Sequence, residues 1–326
     1  MKTVSAEHLV NSYNKGAVKA LDDLSLDVAE GTVLSVLGPN GAGKTTTVRI
    51  LATLLQPDSG NAHVAGIDVI KHPDKVRELI GLSGQYAAVD ETLTGWDNLV
   101  MFGRLYHLGK QQSINRANDL LERFSLTDSA RRTIKTYSGG MRRRLDLAAS
   151  LIVQPKVLFL DEPTTGLDPR GRMEMWGVIE ELVTGGVTVL LTTQYLEEAD
   201  QLADEIAVID HGTVIARGTS DVLKKQVGGE RLEITAENQD LARVQEIIAG
   251  ISASATHIEG RTVSAPVSTG SIALIQALRA LDEASIHPLD IALKRPSLDD
   301  VFLSLTGHVA EESLPEPVKK KKRGGK

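Results

Sequence analysis

The stretch GPNGAGKTT at residues 38–46 decides the fold class of this chain. It matches the pattern GxxxxGK[ST], in which a glycine-rich loop turns backbone N–H groups towards phosphate oxygens. An apolar run ending at Leu37 precedes the stretch, and a helical pattern over Thr45–Leu55 follows it. Strand, glycine-rich turn and helix are the setting that a phosphate loop requires. The stretch therefore predicts an α/β P-loop domain, with the Lys44 ammonium on the β- and γ-phosphates and the Thr45 hydroxyl on Mg²⁺.

A second stretch, VLFLDEP at residues 157–163, places two carboxylates directly after an apolar run. Four successive apolar residues indicate a buried strand, and ligands of open α/β sheets bind at the carboxyl ends of such strands. Asp161 is suited to hold Mg²⁺, directly or through water, and Glu162 is suited to polarise an attacking water. A solvated acidic turn is the alternative, but beside a phosphate loop we interpret the pair as catalytic.

A third stretch, YSGGM at residues 137–141, begins a helix. Ser138 can cap that helix, and the glycines Gly139 and Gly140 leave its first amides uncovered, which makes a receptor for an anion. No anionic partner for it lies in the same part of the sequence. A plain capping motif is the alternative interpretation.

Together these stretches resemble the nucleotide-binding subunits of ATP-binding-cassette (ABC) transporters, over roughly residues 4–220. The resemblance identifies GPNGAGKTT as Walker A, VLFLDEP as Walker B with Glu162 as catalytic residue, and YSGGM as the signature motif, usually LSGGQ. GLDP at residues 166–169 is similar to the D-loop, with Asp168 at the seam of a dimer. Gln85 matches the Q-loop glutamine, which reaches Mg²⁺ and faces a transmembrane partner.

Tyr13, an isolated aromatic residue, lies where the family has the residue that stacks on adenine. The alternative is that Tyr13 packs on the sheet. The residues that the resemblance implies fall into three sets. The nucleotide-binding set is Tyr13, Gly38, Pro39, Asn40, Gly41, Ala42, Gly43, Lys44, Thr45, Thr46, Gln85, Ser138, Gly139, Gly140 and Asp168; the Mg²⁺ ligands are Thr45, Gln85 and Asp161; the catalytic residues are Lys44, Glu162 and Gln194.

The family resemblance also implies a head-to-tail homodimer with ATP and Mg²⁺ as cofactors. Each ATP lies between Walker A of one chain and Ser138 with its glycines from the other. Closure of the dimer on ATP moves the attached membrane subunits, and hydrolysis reopens it.

Gln194 is a departure from the family, which has a histidine at this position, after the strand pattern Val187–Thr192. Glutamine can donate a hydrogen bond but cannot carry a charge or shuttle a proton. Deleting one preorganised donor costs about 10²–10³ in rate, and glutamine keeps the donor. We therefore expect slow hydrolysis rather than none.

Three longer stretches narrow the resemblance: YSGGMRRRLDLAASLI from residue 137, LLTTQYLEEADQLAD from residue 190 and RPSLDDVFLSLTG from residue 295. They resemble the ATP-binding subunits of daunorubicin/doxorubicin-resistance exporters. This implies a peripheral subunit at the cytoplasmic face of the membrane, a separate transmembrane permease that alone contacts the drug, and a permease-docking surface after Gln85. For at least two of Arg142–Arg144, a charged helix face is the plainer interpretation.

The composition bounds the class of protein. The 326 residues suffice for one large and one smaller domain. No apolar run approaches the ~18–20 residues of a membrane helix, and the polar first fifteen residues argue against secretion. The chain has no cysteine, which excludes disulfides and thiolate metal sites. The net charge is −7 although the chain ends in KKKKRGGK. The rest is therefore acidic, which argues against a nucleic-acid partner.

The pattern of elements predicts two domains and a tail. Strands and helices alternate over an ATPase domain at residues 1–225, interrupted by a helical subdomain at about 86–153. Residues 229–308 follow a βαββαβ order, which predicts a small ferredoxin-like α+β domain. The resemblance to the drug-resistance subunits implies a regulatory or assembly role for this domain. Residues 309–326 form a basic tail that we expect to be disordered. A solvated tail and attraction to anionic lipid headgroups remain open for it.

Two other functional classes stay open from the residues. A soluble ABC ATPase of the DNA-repair type would carry a long coiled coil between Lys44 and Ser138, where no sustained heptads occur. A ribosome-acting type carries two cassettes, and this chain has one phosphate loop. A regulatory ATP sensor is favoured only by Gln194, and Glu162 argues against it.

Overall fold

The computed structural model describes residues 2–84, 88–227, 230–252, 255–268, 270–294 and 296–306. The strands are β1 (Lys2–Tyr13), β2 (Val18–Ala29), β3 (Val33–Leu37), β4 (Ser59–Val64), β5 (Ile67–Asp68), β6 (Ile80–Ser83), β7 (Val157–Asp161), β8 (Thr188–Thr193), β9 (Glu205–Asp210), β10 (Thr213–Gly218), β11 (Arg231–Thr235), β12 (His257–Glu259), β13 (Thr262–Pro266) and β14 (Asp290–Lys294). The helices are α1 (Lys44–Leu51), α2 (Pro73–Arg77), α3 (Gly95–Leu105), α4 (Lys110–Arg123), α5 (Gly139–Ser150), α6 (Pro169–Thr184), α7 (Leu196–Leu202), α8 (Ser220–Val227), α9 (Leu241–Ile251), α10 (Gly270–Glu283) and α11 (Leu298–Thr306). Among these, no helix has both the length and the apolar composition needed to cross a bilayer.

The central sheet has the order β10-β9-β3-β8-β7-β6. Strand β3 pairs in parallel with β8 and β9, and β7 pairs in parallel with β6 and β8, while β10 is an antiparallel edge strand. Strands β3, β7 and β8 are buried at every position. Their near-continuous apolar sequences therefore fit a parallel sheet that is covered on both faces. The carboxyl ends of β3, β7 and β8 lie side by side, and this edge carries the predicted site.

An antiparallel sheet of order β2-β1-β4-β5 packs through one apolar cluster on α1 and the central sheet. The sequence pattern indicates a strand only over His8–Tyr13, but β1 already begins at Lys2, because a bulge divides it. Val4 and Ala6 are buried, then Leu9 is buried, so the alternation shifts by one residue at His8. His8 has a φ of 53° there, and the register changes between Ala6 and Leu9. A pattern of strictly alternating residues therefore indicates only the second half of such a strand.

The helices α3, α4 and α5 lie where the sequence predicts a helical subdomain. Thr94 accepts a hydrogen bond from the Asp97 amide at 3.1 Å and so caps α3. Leu99, Leu120 and Phe124 share an apolar cluster with Leu158 and Leu160 of β7, so this region is packed firmly on the central sheet.

The C-terminal sheet has the order β12-β13-β11-β14, with antiparallel pairs throughout. Its strands and helices follow the βαββαβ succession predicted from the sequence, with α9 and α10 packed in one apolar cluster with β11 and β13. The predicted domain boundaries remain predictions. The predicted tail, residues 309–326, lies outside the described residues.

The last helix, α11, packs on the ATPase part of the chain. Ser297 and Asp300 form a reciprocal capping box, with the Asp300 amide donating to Ser297 Oγ at 3.2 Å and the Ser297 amide donating to Asp300 Oδ2 at 2.8 Å. Val301 and Phe302 are buried in a cluster with residues of α7, α8 and β9. Leu305, which the sequence pattern places on the same apolar face, is 38% exposed. The helix ends at Thr306, so Leu305 lies in its last turn and passes beyond that cluster.

Candidate active site

The phosphate loop curls around the Lys44 side chain. Lys44 is 4% exposed, and its Nζ donates to the carbonyl oxygens of Gly38 at 2.7 Å and Pro39 at 3.1 Å. Gly43 has a φ of 108°, and a Cβ atom there would lie 2.6 Å from the Ala20 carbonyl oxygen. Only glycine tolerates both conditions. The loop thus presents its lysine and the first turn of α1 to one side, as a phosphate site requires.

The Walker B strand meets this loop through Asp161. The Thr45 hydroxyl donates to Asp161 Oδ1 at 3.1 Å, and the Thr192 hydroxyl donates to the same oxygen at 2.6 Å. Within the described ranges, no group of three or more His, Cys, Asp or Glu residues could hold a metal. One hydroxyl and one carboxylate in contact nevertheless fit Mg²⁺, which usually keeps waters and phosphate oxygens as its other ligands. Thr45 and Asp161 are therefore the residues that could hold it.

Glu162 follows in a left-handed backbone conformation, with a φ of 51°. This conformation costs a residue with a Cβ atom about 1–2 kcal/mol. The Glu162 amide is held by the Thr192 carbonyl oxygen at 3.0 Å. The side chain is buried, with Oε1 3.8 Å from Lys44 Nζ and Oε2 accepting from the Thr165 hydroxyl at 3.3 Å. The turn therefore aims a buried carboxylate at the phosphate loop, as the predicted general base would need.

Arg143 and Asp146 belong to this site, although the sequence analysis did not single them out. Arg143, on α5, is 8% exposed and donates to the carbonyl oxygens of Gly84, Asp161, Glu162 and Pro163; Asp146 is 3% exposed. Desolvation raises the pKa of Asp146 and lowers the pKa of Arg143, and the attraction between the two opposes both shifts.

The other two arginines of the run form ion pairs, and Arg144 also lines a cavity that contains Ser138 and Asp168. Arg142 pairs with Glu91 at 2.7 Å and Arg144 pairs with Glu174 at 3.3 Å, so the charged-face interpretation holds for these two. A signal for Arg143 was present in the sequence. It lies three residues before Asp146 and four before the buried Leu147, on the inward face of an amphipathic helix.

One cavity is lined by residues of the phosphate loop together with Tyr13 and Glu162. It has a volume of 320 Å³ and is lined by Tyr13, Val18, Ala20, Pro39, Asn40, Gly41, Gly43, Lys44, Thr45, Thr46 and Glu162. Tyr13 lies at its rim, with its hydroxyl 3.3 Å from Thr46 Oγ1. Val18, which pairs with Tyr13 across the β1–β2 hairpin, and Ala20 were not predicted. Small apolar side chains carry no chemical signature that would have revealed them.

A second cavity, of 380 Å³, holds the signature and D-loop residues. Ser138, Gly139, Gly140 and Asp168 all line it. Ser138 caps α5 by accepting from the Met141 amide at 3.2 Å, and Asp168 caps α6 by accepting from the Gly171 amide at 2.9 Å. No lining residue is common to the two cavities. Within one chain, the structure therefore does not bring the signature residues to the phosphate loop.

Among the described residues, the predicted Gly38, Ala42, Asp161 and Gln194 line neither cavity. Gln194 follows β8 directly and is half-buried, but it lines neither cavity. Gln85 lies outside the described residues. Gly38 and Ala42 belong to the phosphate loop without lining its cavity, and a Cβ on Gly38 would lie 2.3 Å from the Ile209 carbonyl oxygen. Gly38 is thus required for the close approach of the loop to β9.

Comparison with known proteins decides the family. Residues 21–165 match the family model described as ABC transporter. The chain is 57% identical over 292 residues to the daunorubicin resistance ATP-binding protein DrrA3 of Streptomyces coeruleorubidus, covering 90% of this chain and 92% of that protein. The chain belongs to the ABC transporter ATP-binding proteins. It is therefore an ABC ATPase, as the three motifs predicted.

Further ABC proteins agree with this assignment. The chain is 49% identical to the daunorubicin/doxorubicin resistance ATP-binding protein DrrA of Streptomyces peucetius, covering 97% of this chain and 96% of that protein. Its fold is similar to that of CbiO1 from Clostridium perfringens, part of the ABC transporter complex cbiONQ, with a TM-score of 0.63 and 26% identity over 69% of this chain and 92% of that one. The predicted α/β ABC ATPase fold is confirmed.

Proposed function

We propose that this ABC ATPase hydrolyses MgATP to drive a separately encoded transmembrane permease that exports a drug of the daunorubicin/doxorubicin type. The names of the relatives in two Streptomyces species support the cargo class. The chain itself binds nucleotide, and the permease alone contacts the drug. In this proposal the chain is a peripheral subunit on the cytoplasmic face of the membrane. Its docking surface lies in the helical region that follows Gln85.

The proposal of a head-to-tail homodimer rests on the separation of the two cavities. Lys44 and Glu162 line one cavity, whereas Ser138 and Asp168 line the other. Both sets are groups that bind or surround a triphosphate, and neither forms a complete site alone. A second chain placed head to tail would bring each Ser138 helix terminus to the opposite Lys44 loop. A two-fold dimer of this kind makes two identical sites.

Each catalytic residue has a defined task in the proposed site. Lys44 holds the β- and γ-phosphates, and the buried Glu162 takes a proton from the attacking water. Thr45, Asp161 and Gln85 would hold Mg²⁺, which would neutralise the charge that develops on the phosphates. The uncovered amides after Ser138 stabilise the γ-phosphate from the opposite chain. Gln194 supplies a hydrogen-bond donor without a charge, so turnover is slow.

The remaining parts of the chain have proposed roles of their own. Residues 1–225 form the ATPase domain and contain the helical subdomain at about 86–153. Residues 229–308 regulate the dimer or help to assemble it, which is consistent with the packing of α11 on α7 and α8.

Mixing two inactive variants tests the shared site. Ser138→Arg damages the site built on the opposite chain, whereas Lys44→Ala damages the site of its own chain. Mixed dimers of the two therefore keep one intact site, and we expect about a quarter of wild-type turnover from an equal mixture. Each variant alone is the matched control. Turnover of the mixture no higher than that of either variant would contradict the dimer.

Co-reconstitution tests the proposed export. The chain is placed in vesicles with the candidate permease, and phosphate release is measured with and without daunorubicin. We expect the drug to stimulate phosphate release only when the permease is present. Unchanged release, with no drug movement across the vesicle membrane, would contradict the cargo class and leave the ATPase assignment intact.

A further inference from the structure

Arg143 donates hydrogen bonds to the carbonyl oxygens of three successive residues. Its Nη2 donates to Asp161 O at 3.1 Å and to Glu162 O at 2.7 Å, and its Nε donates to Pro163 O at 2.8 Å. These carbonyls belong to the left-handed turn that aims the Glu162 carboxylate. Five N–H donors in a planar fork allow arginine to serve such a set, which the single ammonium of lysine cannot match. The guanidinium therefore holds the turn in a conformation that its own backbone disfavours.

The same arginine and Asp146 also hold the end of β6. Arg143 Nη1 donates to the Gly84 carbonyl oxygen at 2.6 Å. Asp146 accepts from the Ser83 hydroxyl and from the Ala88 amide, each at 2.6 Å. The chain on both sides of residues 85–87 is thus bonded to one face of α5. Both side chains are buried, so these charge-assisted bonds are shielded from water and strengthened.

Helix α5 connects these contacts to the signature motif. It begins at Gly139, directly after its cap Ser138, and Arg143 lies five residues beyond that cap. At a rise of 1.5 Å per residue, the separation along the helix is about 7.5 Å. A packed helix of this length moves as a unit, so a displacement of its first turn reaches Arg143 directly.

We propose that Arg143, supported by Asp146, is a positioning residue that ties the Glu162 turn of its own chain to the signature helix. The ATP bound opposite Ser138 and the general base Glu162 belong to different active sites of the dimer. Arg143 therefore links occupancy of one site to the position of the base in the other. This link rests on the proposed head-to-tail dimer, whereas the tie within one chain does not.

Hydrogen exchange of the full-length protein without nucleotide tests the tie itself. We expect Arg143→Lys to speed amide exchange about tenfold in peptides that contain Glu162, since charged hydrogen bonds are lost. Asp146→Asn, a nearly isosteric change, should speed exchange at Ala88. Arg142→Lys, in the adjacent exposed ion pair, is the matched control and should change neither. Equal exchange in all three variants would overturn the proposal.

Kinetics separate positioning of Glu162 from general damage. We expect Arg143→Lys to lower single-turnover hydrolysis about 100-fold, as a displaced catalytic group does. The Kd for ATP should stay within about threefold of wild type, because the loss arises after binding. Arg142→Lys should keep both values. A weakened Kd with an unchanged hydrolysis rate would show that Arg143 does not act through Glu162.

Mixed dimers show which site Arg143 serves. Arg143→Lys is mixed with Lys44→Ala, and Ser138→Arg mixed with Lys44→Ala is the matched pair. If Arg143 serves Glu162 of its own chain, the first mixture stays inactive while the second recovers. Equal recovery would mean that Arg143 acts only through Ser138, and the proposal fails. If the Ser138→Arg pair does not recover, the dimer is wrong, and hydrogen exchange still decides the tie within one chain.

Discussion

Replacing Phe302 with alanine tests whether α11 stabilises the ATPase part of the chain. Phe302 is 4% exposed and lies in one apolar cluster with Leu196 of α7, Leu223 of α8 and Ile206 of β9. Truncating a buried phenylalanine costs about 3–5 kcal/mol, because the lost transfer free energy is joined by that of the cavity. With a urea dependence of about 3 kcal/mol per molar, the unfolding midpoint should fall by about 1 M or more.

Tryptophan fluorescence makes this measurement specific. The sequence has two tryptophans, Trp96 on α3 and Trp176 on α6, and both lie in the ATPase part. A shift of the fluorescence transition therefore reports that part rather than the C-terminal sheet. Leu305→Ala on the same helix, at a position 38% exposed, is the control and should change stability by less than about 0.5 kcal/mol. An unchanged fluorescence midpoint for Phe302→Ala would refute the docking of α11.

Three further predictions concern nucleotide binding, turnover and pH. Tyr13→Ala should weaken ATP binding by about 1–3 kcal/mol in a fluorescence titration, while Tyr13→Phe keeps the stacking face and the affinity. If Tyr13 only packs on the sheet, alanine would lower stability and leave affinity unchanged. In single-turnover assays Gln194→Ala should lower hydrolysis about 10²–10³-fold. A wild-type chain that releases no phosphate until Gln194→His restores release would contradict slow hydrolysis. The hydrogen bond from Arg217 lowers the pKa of Asp27 below its ordinary value of 3.8. The stabilisation that this ionised carboxylate supplies is therefore complete above that value and is lost as the pH falls below it, through the lower pKa of the folded state. In Asp27→Asn the urea midpoint of unfolding should therefore depend less on pH in this acidic range. An unchanged pH dependence would contradict the assignment.

Some of the site could be read from the chain because its determinants are contiguous. The loop at residues 38–46 needs glycines, a lysine and a hydroxyl within nine positions, and local backbone sterics make that pattern diagnostic. The apolar run before Asp161 likewise indicates a buried strand by itself. The C-terminal βαββαβ succession could be predicted largely from periodicity, since β11 alternates buried and half-buried residues and α9 and α10 each bury one face.

Other features escaped prediction because distant segments determine them. Strand β1 contains a bulge at His8 that breaks the period of two. Leu305 follows the apolar pattern of α11, yet the partner surface ends before it. In the run Arg142–Arg144, Arg142 and Arg144 form ion pairs, whereas the buried Arg143 donates to backbone carbonyl oxygens. The spacing to Asp146 and Leu147 marks Arg143 as the inward-facing member of the run, but its carbonyl partners lie in distant segments and give no local signal.

The amino-acid sequence by itself indicates which short segments bind phosphate, carry Asp161 and Glu162, and begin an anion-binding helix. Steric and hydrogen-bonding rules act within such segments, so they can be recognised without a fold. Packing alone separates the Lys44 and Ser138 cavities and turns Arg143 towards Gly84 and the Glu162 turn. Those contacts join residues 18 to 59 positions apart. Their partners are chosen by how α5 lies against β6 and β7, which is a property of the folded chain as a whole.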